Sequence, residues 1–143
     1  MRIREVVRRK GDNVISVRPD DDVAHLLALL VEHGIGAVVV SEDGGATLAG
    51  IASERDVVRH MHNDGPAVLE QPVSTIMTRL VQTCGLDDEL ETLARQMTEH
   101  RVRHIPVLHE GTLIAIVSIG DIVKNRIDEL QDERDQLVDY IQQ

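Results

Sequence analysis

The amino-acid sequence predicts an α+β fold: two β-α-β-β-α units related by a pseudo-twofold, followed by an extended C-terminal helix. Three observations carry that expectation. First, the chain repeats itself. VISVRPDDDVAHLLALLVEHGIGAVVVSEDG (14–44) lies over VQTCGLDDELETLARQMTEHRVRHIPVLHEG (81–111) without a gap, so Val23 meets Leu90, Leu30 meets Met97 and Val40 meets Val107. After a turn that is longer in the first copy, GIASERDVV (50–58) lies over AIVSIGDIV (115–123). Second, helical and strand periodicities alternate within each copy. Third, apolar residues at helical spacing run on beyond the second copy, through Val123, Ile127, Leu130, Leu137 and Ile141. One unit alone leaves a sheet face in water, whereas two packed together bury both.

The elements follow in order. IREVVRR (3–9) is an N-terminal helical stretch, echoed by VSTIMTR (73–79). Short strands at 14–17 and 81–84 open the two copies. Asp20–Asp22 and Asp87–Glu89 then supply caps and negative charge for helix N-termini. Val23, Leu26, Leu27 and Leu30, like Leu90, Leu93, Ala94 and Met97, fall on one helical face. Gly34 breaks the first of these helices. IGAVVV (35–40) and IPVL (105–108) are short β-branched strands, EDGG (42–45) and HEG (109–111) are hairpin turns, and LAGIA (48–52) and LIAIV (113–117) are the returning strands. A Ser-x-x-Asp turn, Ser53 with Asp56 and Ser118 with Asp121, opens the next helix in each copy. Gly65, Pro66 and Pro72 mark a join. The expected boundaries are 1–65 for the first unit with its N-terminal helix, 66–72 for a linker, 73–127 for the second unit and 128–143 for a helical tail.

Composition narrows the function classes. The 143 residues contain no Phe or Trp and one Tyr, so the core is aliphatic. A net charge of −10 argues against nucleic acid as a partner. No apolar run approaches the ~20 residues of a membrane span, and no secretory signal is visible, so a cytoplasmic protein without a membrane partner is expected. Cys84 is the single cysteine, which leaves no disulfide framework or cysteine metal site. His60 with His62, and His100 with His104, lack metal-ligand geometry. No nucleophile–base pair or phosphate loop points to an enzyme, and no catalytic or metal residue is assigned. Charge is uneven: residues 1–10 are basic and 128–143 acidic.

The paired units, HIPVL (104–108), GIASERD and AIVSIGD together resemble tandem CBS domains, named after cystathionine β-synthase, over roughly residues 3–127. The resemblance implies two clefts between paired units, adenosine-containing ligands and a regulatory rather than catalytic role. A carboxylate can accept from both vicinal hydroxyls of a ribose, a task that suits Asp56 and Asp121. Ser53 and Ser118, at helix N-termini, suit a phosphate. A plain helix cap would suffice for one Ser-x-x-Asp, but its recurrence at the same place in both copies favours ribose binding. Adenine would lie among Ile15, Val17 and Val38 in the first copy, and among Val81, Thr83 and Ile105 in the second. The resemblance further implies phosphate contacts from Arg103 and His104, directly before Ile105 and Pro106. The first copy has Gly36 and Ala37 there, but carries Arg55 where the second has Gly120. The expected ligand is AMP, ADP, ATP or NAD(H), with no catalytic cofactor. The expected partners are a second copy of the chain, as a homodimer, and a downstream protein. The alternative is a dimeric scaffold that binds no ligand.

Overall fold

The computed structural model describes residues 1–11, 13–79 and 81–143. Helix α1 (Ile3–Lys10) leads into strand β1 (Ser16–Val17), helix α2 (Val23–His33), strands β2 (Ala37–Val40) and β3 (Gly50–Ser53), and helix α3 (Glu54–Asp64). Two 3₁₀ turns, Pro66–Glu70 and Val73–Thr75, form the join. Helix α4 (Leu90–His100), strands β4 (His104–His109) and β5 (Thr112–Ser118), and helix α5 (Ile119–Gln142) complete the chain.

In the first unit β1 pairs parallel with β2, and β2 antiparallel with β3, from Ala37 opposite Ser53 to Val40 opposite Gly50. The second unit keeps the antiparallel pair β4–β5. Its expected opening strand at 81–84 is reduced to one parallel bridge, Cys84 to Val107. Gln82 and Thr83 are exposed there, so only Cys84 has a buried face to align with the sheet. Helix ends follow local chemistry. The Asp22 carboxylate accepts from the His25 N–H at 2.8 Å to start α2, and Gly34 ends it at φ 61. Gly50 lets β3 come close to the join: a Cβ there would lie 2.5 Å from the Thr78 carbonyl oxygen.

Packing departs from chain order. Two aliphatic cores form. The first holds Val17, Val23, Leu26, Val38, Val40 and Ala52, together with Val68, Val73 and Ile76 from the join. The second holds Leu90, Leu93, Met97, Ile105, Val107 and Val117, together with Ile3 and Val6 of α1. The opening helix thus seals the second unit, and its first N–H groups donate to the carbonyls of Asp88 and Leu86, both at 2.9 Å. Val68, buried in the first core, anchors the 66–72 linker to the first unit. The basic start and acidic end of the chain meet along this seam, where Arg9 lies 3.6 Å from Asp128 and bonds Asn125 at 3.1 Å. Cys84 is buried in the second core; burial, reinforced by Asp88, pushes its thiol up to about 12, which keeps it protonated and unreactive.

Candidate functional site

Both Ser-x-x-Asp turns are complete capping boxes. At the mouth of α3 the Asp56 N–H donates to Ser53 Oγ at 3.2 Å, while Asp56 Oδ2 accepts from the Ser53 N–H and hydroxyl, each at 2.9 Å. Asp56 Oδ1 accepts from Arg59 at 3.3 Å. At the mouth of α5 the Asp121 N–H donates to Ser118 Oγ at 3.2 Å and the Ser118 N–H to Asp121 Oδ2 at 2.9 Å. In front of that second carboxylate stands Lys10, whose Nζ donates to Asp121 Oδ2 at 2.6 Å and to the Ile116 carbonyl at 2.7 Å. Burial works against charge on Asp121, but Lys10 and the Ser118 donors outweigh it and hold the carboxyl below its ordinary range.

A cleft of about 410 Å³ opens beside Asp56. Its first wall is Gly36, Ile51 and the α3 mouth, Ser53, Glu54, Arg55, Asp56 and Arg59. Its opposite wall is the α4–β4 corner of the other unit, His100, Arg101, Val102, Arg103 and His104, with Thr78, Val81 and Gln82 along the join. The pseudo-twofold produces this arrangement. The Glu54 N–H donates to the Gly36 carbonyl at 3.0 Å, and the Ile119 N–H to the Arg103 carbonyl at 2.8 Å, one bond being the image of the other. At the axis the two units nearly touch: a Cβ on Gly36 would lie 3.6 Å from His104 Cε1.

The structure therefore groups the sequence's candidates differently. Ser53, Arg55 and Asp56 face Val81, Arg103 and His104, which chain order had placed with the other turn. Val17 and Val38 are 2% and 1% exposed inside the first core, and Ile15 packs against that core, so these three do not line this cleft. Ile105 and Pro106 are buried in β4, Thr83 is exposed, and Ser118 and Asp121 lie at the Lys10 contact outside the cleft. The cause is that units docked face to face present the helix mouth of one to the strand entrance of the other. Arg59, Thr78, Gln82 and His100 are not expected there from residue type, and Arg101 is expected only as part of the basic run HRVRH before β4. Arg59 had a signal, since it lies one helical turn beyond Asp56. Arg101 had another, since the repeat sets it over Gly34: Arg101 ends α4 at φ 54, ψ 41, and Gly34 ends α2 at φ 61, ψ 39.

Electrostatically the cleft is a cationic hollow in an acidic chain. Arg55, Arg101 and Arg103 have no carboxylate within 4.0 Å among the described residues. Burial, with the Lys10 ammonium, lowers the His104 pKa below its ordinary range, against the opposing pull of Asp121 and Glu54. Among the described residues no cluster of three or more His, Cys, Asp or Glu side chains could hold a metal ion, and no helix is long and apolar enough to cross a membrane.

The CBS domain family model matches residues 3–63 and 73–128. The chain belongs to the CBS-domain family. Each match covers one of the two repeats, so this is a CBS pair. It is similar to the mitochondrial CBS domain-containing protein CBSX3 of Arabidopsis thaliana, at 33% identity over 98% of this chain and 71% of that one. Among solved structures it resembles the CBS-domain containing protein ATU1752 from Agrobacterium tumefaciens, at 40% identity and TM-score 0.84, covering 88% of this chain and 99% of that one. The CBS domain pair of protein MJ0100, solved with 5′-methylthioadenosine and S-adenosyl-L-methionine, shares the fold at 18% identity and TM-score 0.78, over 90% of this chain and 98% of that one.

Proposed function

We propose that this CBS pair is a regulatory module that binds a phosphorylated adenine nucleotide, AMP, ADP, ATP or NAD(H), in the cleft beside Asp56 and passes its ligand state to a protein partner. One observation carries the reading. The cleft sets a carboxylate at a helix mouth, suited to a ribose, within a ring of Arg55, Arg59, Arg101, Arg103 and His104, suited to phosphate. Arg59 is 60% exposed on its side chain, so it can turn from Asp56 Oδ1 and leave that oxygen for ribose hydroxyls. Val81, Val102 and Ile51 supply apolar surface for the base. The CBS pair of MJ0100 was solved with adenosine-type ligands; here the cations favour a ligand that carries phosphate.

Calorimetry with ATP, AMP and adenosine tests this. ATP and AMP should bind and adenosine only weakly. Asp56→Ala should cost at least about tenfold, since a hydrogen bond to a charged group is worth roughly 1.5–3 kcal/mol. Arg103→Ala should shrink the gap between AMP and adenosine. Equal affinity for AMP and adenosine in the wild type would refute the phosphate assignment. If none of the three binds, the second reading gains: both turns serve as caps, as their complete capping boxes allow, and the protein is a ligand-free scaffold. In either case the exposed apolar stripe of α5 supports pairing with a second copy of the chain, as a homodimer.

A further inference from the structure

We infer that this chain has one nucleotide site rather than two, and that Lys10 closes the second. The inference rests on the nucleotide reading of the Asp56 cleft. The two strand-to-helix turns are the same device built twice, yet what stands before their carboxylates differs. Asp56 meets Arg59, a neighbour on its own helix whose side chain is largely in solvent. Asp121 meets a lysine from the far end of the chain. Helix α1 carries Lys10 there and is itself fixed by Ile3 and Val6, both 0% exposed in the second core. The ammonium has two acceptors, the Asp121 carboxylate and the Ile116 carbonyl. It therefore sits where a ribose would have to donate, and a charged donor binds a carboxylate more strongly than neutral hydroxyls do.

The repeat supplies an independent asymmetry. Arg55, Arg101, Arg103 and His104 all line the Asp56 cleft. Their counterparts in the other copy are Gly120, Gly34, Gly36 and Ala37. The positions around Asp121 that match these three arginines and His104 thus carry only hydrogen or methyl; of the two lysines near the turn, Lys124 repeats Arg59 and Lys10 is already paired with Asp121. A nucleotide there would be held chiefly by its ribose and base, with fewer cations for its phosphate, and its ribose would first have to break an ion pair anchored by a packed helix.

The test is calorimetry of the full chain with ATP, with circular dichroism confirming that each variant is folded. Wild type should bind one ATP per chain and Asp56→Ala should lose that event. Lys10→Met should gain a second event, with affinity at the Asp121 turn raised at least about tenfold, and Lys10→Met combined with Asp56→Ala should keep that event alone. Lys10→Gln, which retains a neutral donor for the Ile116 carbonyl, serves if the Met variant does not fold. Two equivalent sites in the wild type, or a single site in every folded Lys10 variant, would overturn the inference. If wild type binds no ATP but Lys10→Met binds one, the closure by Lys10 stands and the function proposed for the Asp56 cleft falls. If neither binds, both fall.

Discussion

At the residue scale, two positions show local cost and local gain. Arg101 occupies a left-handed C-cap that its repeat counterpart fills with Gly34 at almost the same angles. A side chain in that region costs about 1 kcal/mol relative to glycine. Arg101→Gly should therefore raise the melting temperature by roughly 2–6 °C, by calorimetric scan, and weaken ATP binding, because it removes a cation from the cleft. A rise in stability with ATP affinity unchanged would leave Arg101 a helix-end residue only. Asp43 does the opposite work in the β2–β3 turn. Its carboxylate accepts from the Thr47 N–H at 2.9 Å, the Ser41 hydroxyl at 2.7 Å and the Ala46 N–H at 3.1 Å, and its pKa falls from 3.8 to about 2. In the unfolded chain the same group takes up its proton near 3.8. Its contribution is therefore complete above that value and is lost as pH falls towards about 2. Urea unfolding at pH 4 and pH 2 should show a smaller acid-induced loss for Asp43→Asn than for wild type.

At the element scale, α1 belongs to the second core although it opens the chain. Ile3 and Val6 fill that core, and the first turn of α1 is tied to the carbonyls of Asp88 and Leu86. Ile3→Ala should destabilise by about 2–5 kcal/mol in denaturant unfolding, the range for truncating a buried isoleucine. Hydrogen exchange should then accelerate first in α4, β4 and β5, not in the adjacent β1 and α2. Faster exchange confined to residues 14–40 would mean that α1 supports the first unit instead. The same placement gives the N-terminal helix influence over the second carboxylate through Lys10 at its last turn.

At the scale of the whole molecule, the feature unaccounted for by one chain is α5. Its 24 residues span about 36 Å, and every residue from Leu130 onward is exposed. Leu130, Leu137 and Ile141 are 48%, 62% and 78% exposed along this stretch, and Val123 and Ile127 extend the stripe towards the body. Each such side chain gains roughly 1.5–3 kcal/mol on full burial, which the proposed pairing with a second copy would supply. Light scattering should find a dimer at micromolar concentration. Truncation after Glu129 keeps the Met1–Glu129 and Arg126–Glu91 contacts; it should shift the dimer towards monomer while leaving ATP affinity unchanged. A truncated chain that dimerises as well as the full one would assign the interface to the body.

The repeat, the alternation of helix and strand, the aliphatic core and both capping boxes were legible in the order of residues alone. Each of these rests on local periodicity or on side chains reaching backbone a few residues away, as Ser53 and Asp56 do across one helical turn. Which pieces share a core and which side chains share a cleft depends instead on how the elements dock. Ile3 packs with Leu90, and Ile76 with Val17. Arg55 faces Arg103, and Lys10 reaches Asp121 across 111 residues of chain. Burial drives that docking without reference to chain order, since a helix face gains the same free energy on whichever apolar surface covers it. A repeat written twice in the sequence thus becomes two unlike turns, one opening on a cleft lined by arginines and one whose carboxylate is already paired with a lysine.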